Sequence, residues 1–125
     1  MGENVQMRPY LLVAAGGALG ASMRWGVGES VSHAPGTFPL ATLLVNVAGC
    51  ILIGLAARLL VRGSDRWSLG VTGVLGGLTT YSTFTAETRD LLDGGHAGMA
   101  LLYVAVSVVA GLLATEIARG DRRRA

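Results

Sequence analysis

The chain has 125 residues, enough for one domain; 51% of them are hydrophobic and only 14% are charged. Soluble domains carry about 25% charged residues, so this balance, with a positive mean hydropathy, points to lipid rather than water. A formal charge of +2 is too small for a nucleic-acid binder, and the one dense basic run, Arg122 to Arg124, suits a cytoplasmic tail beside a membrane.

Uncharged runs cover residues 9–23, 30–57, 67–86 and 94–115. A membrane-crossing helix needs about 20 mostly apolar residues. The last three runs reach that length, and the first does so if Arg24 lies in the helix or at its edge. The runs predict an all-α membrane protein, a single domain over 1–125, with four spans at about 9–28, 39–62, 67–91 and 97–118.

In the first span Gly16 and Gly20 form a GxxxG, and Gly17 with Ala21 repeats the small-residue spacing. Such faces pack helix against helix in lipid; a packing face argues against reading this stretch as a cleavable leader. Arg24 either snorkels to the headgroups or has a structural or anion-attracting role. The second span holds Asn46 near its middle, which is either interhelical glue or a donor to a passing anion. The lone cysteine, Cys50, reads as a small buried hydrophobe.

The third span is the odd one. It contains Gly70, Gly73, Gly76 and Gly77, then the hydroxyl-rich run GGLTTYSTFT at 76–85. Glycines lower helix propensity, and Ser and Thr offer competing local hydrogen bonds. A break in the helix is expected here, the alternative being a continuous helix whose hydroxyls bond back to preceding carbonyls. Broken backbone at membrane depth persists only where protein buries it or water reaches it. Such a break exposes carbonyls to cations and helix ends to ions, and Ser82, Thr83 and the ring edge of Phe84 can face an anion. Glu87 closes the span. In the fourth span Tyr103, Ser107, Gly111 and Thr115 share one face, which either lines a wet path or bonds back to its own backbone.

With four spans, both termini and the middle connector share one side. That side holds Arg8, Arg58, Arg62, Arg66, Arg119, Arg122, Arg123 and Arg124; the other holds Arg24 and Arg89. The bias places both termini in the cytoplasm. His33 and His96 have no metal-ligand partner at usable spacing, and no Ser/His/Asp set is present, so an enzyme is not expected.

Three segments, GGALGASMRW (16–25), TLLVNVAG (42–49) and GGLTTYSTFTAE (76–87), resemble the signature segments of the CrcB/Fluc fluoride channels. The resemblance covers three of the four spans by motif and the whole chain by length. It implies an antiparallel dimer of four-helix subunits, two pores, and a central structural sodium ion held by backbone carbonyls at the break. Carried over, the carbonyls of Gly76 and Thr79 would ligate sodium, together with the same pair from the partner. Asn46 would donate to fluoride. Ser82 and Thr83, with Tyr103 and Ser107, would form the polar track, and Phe84 would turn its ring edge to the anion. Glu87 would lie at a pore mouth, and Arg24 would support the vestibule or the fold.

Two features depart from that pattern. Tyr81 stands where the family has phenylalanine; its hydroxyl either donates to fluoride, narrows the pore or marks a pore that no longer conducts. The arginine bias suits a fixed orientation, hence an antiparallel partner from a homologous chain instead of an identical copy. The competing readings are a non-conducting partner subunit or scaffold, and a small multidrug or cation exporter. An exporter needs a membrane-embedded carboxylate, and the first span has none between Arg8 and Glu29.

Overall fold

The structure, a computed structural model, describes residues 6–120. The Arg122–Arg124 run lies outside the described residues. Among them the chain is helical without strands: α1 (Met7–Ser30), α2 (Leu40–Leu59), a π-helical segment (Trp67–Leu75), a single turn α3 (Gly76–Leu78), α4 (Tyr81–Asp93) and α5 (Ala97–Arg119). At about 1.5 Å per residue, the 24 residues of α1 are long enough to cross a bilayer. Helices α2 and α5 are both long and apolar enough to do so. The third region is divided into shorter pieces, and its winding begins as a π-helix, which the sequence did not foretell.

Each helix ends for a local reason. Leu60 turns extended, with φ −112° and ψ 145°, and stops α2. Gly95, at φ +80°, takes a left-handed conformation that suits glycine and reverses the chain between α4 and α5. The main pairings are α1 with the π-helical segment and α2 with α5.

Glycine makes the first pairing possible. Gly16 and Gly20 are the buried residues of α1. A Cβ at Gly16 would collide with the Leu69 carbonyl, one at Gly20 with the Val74 carbonyl, and one at Gly77 with the Gly17 carbonyl. The GxxxG face of α1 therefore seats the third region backbone to backbone, as small-residue faces do in membranes. In the second pairing, Gly54 meets the Thr115 carbonyl and Ala118.

Large apolar side chains point outward. Leu101 is 72% exposed and Ile117 77%, a distribution that would be costly in water and that suits lipid or a partner. The enclosed apolar groups form two small clusters. One joins Val45, Leu75 and Leu78; the other joins Leu91, Ala100 and Tyr103, with Phe38 and Phe84 packed against it.

The arginine-bearing segments gather at one end. Arg8 Nη2 pairs with Asp65 at 2.5 Å, Arg62 lies over the Trp67 ring, and the Arg58 guanidinium lies beside Gly120. At the opposite end the His96 ring packs over Gly36.

The glycine face yields a direct expectation. Gly20→Val should destabilise the fold by about 1–3 kcal/mol or more, the usual range for overpacking. Gly26→Ala, where an added Cβ meets nothing within 4 Å, should be neutral or slightly stabilising. Thermal unfolding of the two variants in detergent checks the contrast.

Candidate functional site: the interrupted third segment

Between α3 and α4 two residues leave the helical region. Thr79 has φ −77° and ψ 153°, and Thr80 has φ −148° and ψ 121°. A helix that stops here leaves carbonyls behind it and N–H groups ahead of it without intrahelical partners. Side chains fill that gap.

Asn46, from the middle of α2, does most of this. Its Nδ2 donates to the Thr80 carbonyl at 3.0 Å, and its Oδ1 accepts from the Thr80 N–H at 2.8 Å. One carboxamide thus satisfies both backbone groups of one residue. In an unbroken α-helix the Thr80 N–H would have gone to the Gly76 carbonyl. The next diversion is local: the Thr80 hydroxyl accepts from the Thr83 N–H at 3.1 Å, capping α4 as threonine commonly does. That N–H would otherwise serve the Thr79 carbonyl. The third comes from α1, where half-buried Arg24 donates through Nε to the Gly77 carbonyl at 3.1 Å.

The outcome is chemically selective. Gly77 receives a charged donor in place of its helical one, whereas Gly76 and Thr79 have lost theirs to Asn46 and Thr80. Both residues line a groove of about 720 Å³ that also takes in Asn46, Tyr81, Phe84 and Ser107. Carbonyl oxygens are hard donors suited to alkali or alkaline-earth cations. Gly76 and Thr79 fit the sodium role that the resemblance implies for them.

Of the hydroxyls at 79–85, some bond back to the helix and some do not. Thr79 Oγ1 donates to the Leu75 carbonyl and Thr85 Oγ1 to the Tyr81 carbonyl. Thr80, Ser82 and Thr83 instead cluster: Thr80 Oγ1 donates to Thr83 Oγ1 at 3.1 Å and lies 3.2 Å from Ser82 Oγ. The stripe on α5 divides likewise. Thr115 bonds back to the Gly111 carbonyl. Tyr103, fully buried, donates to Glu87 at 2.7 Å. Among the described residues, the Ser107 hydroxyl is buried without a hydrogen-bond partner. An orphaned buried hydroxyl is rare enough to need a reason.

Glu87 is more than a boundary residue. Its carboxylate accepts from Tyr103 and, at 2.8 Å, from Thr42 Oγ1, tying α2, α4 and α5 together. With Arg24, Thr42, Thr80 and Thr83 it lines a second cavity of about 410 Å³. Rings continue the path: Tyr81 and Phe84 have centroids 6.0 Å apart, Phe84 and Tyr103 5.1 Å, and Phe38 meets Tyr103 edge-on at 5.4 Å. Tyr81 is 80% exposed at the groove.

The expected site residues thus fall on two connected surfaces. Asn46, Gly76, Thr79, Tyr81, Phe84 and Ser107 share the groove; Arg24, Thr83 and Glu87 share the second cavity. Ser82 joins them through Thr80, and Tyr103 through Glu87 and Phe84. Sequence reasoning missed Thr42 and Thr80. Thr42 stands four residues before Asn46 on the same helix face, a spacing that could have exposed it.

Comparison with known proteins places the chain in a family. Residues 11–119 match the family described as CrcB-like protein, Camphor Resistance (CrcB). Among curated relatives, one from Thermus thermophilus, named Fluoride-specific ion channel FluC, is 50% identical over 111 residues, covering 85% of this chain and 88% of the relative. One from Azotobacter vinelandii with the same name is 47% identical over 110 residues, covering 84% and 89%. A third, from Rhodococcus jostii and named Fluoride-specific ion channel FluC 2, is 49% identical over 104 residues, covering 83% and 90%. On this evidence the chain is a member of the CrcB family.

Proposed function

We propose that the chain is a subunit of a passive, fluoride-selective export channel in a bacterial cell membrane, not an enzyme. In this reading the four helical regions cross the membrane. Two subunits pair antiparallel, each covering the other's open groove, and enclose two pores. The Gly76 and Thr79 carbonyls of both subunits hold a structural sodium ion between them. The observation that carries the reading is the groove itself: an open face joining the backbone at Gly76 and Thr79, an orphaned buried hydroxyl and the rings of Tyr81 and Phe84. The names of the bacterial relatives supply the ion.

The chemistry follows from fluoride's size. It is small and holds water tightly, so a pore must offer several close donors in exchange. Thr83 and Ser107 can turn hydroxyl hydrogens toward it, and Ser82 can do so by exchanging its bond to Thr80. Asn46 keeps one N–H, since its amide has two and one is given to Thr80. Phe84 offers its electropositive edge. Tyr103 donates to Glu87, so it serves an anion only by exchanging that bond. Glu87 and Arg24 stand at the mouth. Sodium, when bound, supplies fixed positive charge at the subunit boundary; the chain's own residues orient the donors and keep the path narrow against chloride.

A second reading rests on the arginine asymmetry. Arg8, Arg58 and Arg62 make their contacts at one end, the end that the middle connector's Arg66 and the last turn's Arg119 share, and Arg24 and Arg89 lie elsewhere in the chain; in this reading the chain inserts one way, both termini cytoplasmic. Its antiparallel partner is then a homologous chain. Tyr81 could belong to the less active half of such a pair.

Two measurements test these readings. Liposomes holding this chain should release fluoride without a proton gradient and retain chloride, and Phe84→Leu should slow release at least ~10-fold, about 1.4 kcal/mol. No release from the chain alone, with release once a homologous chain is added, selects the paired reading. Accessibility tags on the terminus should report a single orientation when the chain is expressed alone; equal amounts of both would end the fixed-orientation reading.

A further inference from the structure

Asn46 is assigned above as a donor to the permeating anion, but its hydrogen bonds describe a second task. Both of them end on the backbone of one residue, Thr80. The bond from the Thr80 N–H is the one that removes the helical donor from Gly76. The Thr80 hydroxyl repeats the operation one turn on, taking the Thr83 N–H and leaving Thr79. The two carbonyls with a cation role are thus those whose helical partners are held by Asn46 and Thr80.

We propose that Asn46 and Thr80 are positioning residues that hold the third segment open, and that the cation affinity of Gly76 and Thr79 depends on this diversion. Without the Asn46 oxygen, the Thr80 N–H is free to return to the Gly76 carbonyl, the helix closes, and the oxygen is consumed. The physical basis is that a backbone N–H in a nonpolar setting must bond to something. When the side-chain acceptor is removed, the nearest remaining acceptor is the helical one. Arg24 acts differently: it caps the Gly77 carbonyl, which the diversion does not leave for a cation.

This rests on the channel reading, in which sodium binds at Gly76 and Thr79, and makes a separable demand on it. A residue that only touches the passing anion affects flux and leaves sodium binding alone. A residue that holds the break open affects sodium binding too, and does so through its acceptor oxygen. Asn46→Asp keeps an acceptor for the Thr80 N–H and loses both amide donors, the one to the anion and the one to the Thr80 carbonyl; Asn46→Leu loses acceptor and donors alike. Thr80→Ser keeps the capping oxygen; Thr80→Val removes it.

The experiment is thermal unfolding of the full chain in detergent, titrated with sodium against N-methylglucamine, alongside fluoride release from liposomes. The wild type should gain in Tm with sodium. Asn46→Asp should keep that gain while losing fluoride release. Asn46→Leu and Thr80→Val should lose the gain, or need at least ~10-fold more sodium for half of it, and Thr80→Ser should restore it. If Asn46→Leu fails to fold in sodium while Asn46→Asp folds, the acceptor oxygen is again what Thr80 requires. Wild-type sodium response in both apolar variants overturns the positioning role and leaves the channel reading standing. A wild type indifferent to sodium overturns the cation site, and the positioning role with it.

Discussion

The structure depends on one constraint: a peptide that leaves the helix inside an apolar layer must find other partners for its N–H and C=O groups. An unsatisfied buried backbone group costs several kcal/mol in hydrocarbon, so Thr79 and Thr80 could not stay extended unaided. The carboxamide of Asn46 answers for both polar groups of Thr80, and Arg24 answers for Gly77. These two side chains arrive from different helices, which makes the interruption a tertiary feature rather than a local one.

Glycine supplies the second condition. For Arg24 to reach the Gly77 carbonyl, α1 must approach the third region closely. Gly16, Gly20 and Gly77 lie where any Cβ would strike backbone across the contact. The third region packs Leu75 and Leu78 against Val45, while Thr72, Gly76 and Thr79 line the open groove. Polar ties then complete the frame. Glu87 draws Thr42 and Tyr103 together, and aromatic contacts run from Tyr81 through Phe84 to Tyr103.

Much of this was legible in the sequence, and the rest was not for identifiable reasons. Hydropathy locates helices because lipid-facing residues must be apolar, and α2 and α5 lie within the uncharged runs except for their last turns, which carry Arg58 and Glu116 with Arg119. The density of glycine and hydroxyls at 76–85 marked weak helix, and extended residues stand at Thr79 and Thr80. The resemblance gathered Asn46, Phe84 and Ser107, which share the groove. The π-helical winding of Trp67–Leu75 was not readable, since glycine content says that a helix is yielding without saying how it rewinds. Nor were the ties of Asn46 to Thr80 and Thr42 to Glu87, which join residues 34 and 45 positions apart. Such bonds depend on the relative register of packed helices, which a single sequence does not specify. Glu87, read as the close of its span, belongs to a buried network for the same reason.

The most direct measurement is an experimental density map of the chain in lipid nanodiscs with sodium present. The account predicts two subunits with their grooves face to face, extended backbone at Thr79 and Thr80, and a peak between the paired Gly76 and Thr79 carbonyls. Continuous helix through residues 76–84, or that stretch turned to lipid with no subunit opposite it, would contradict it.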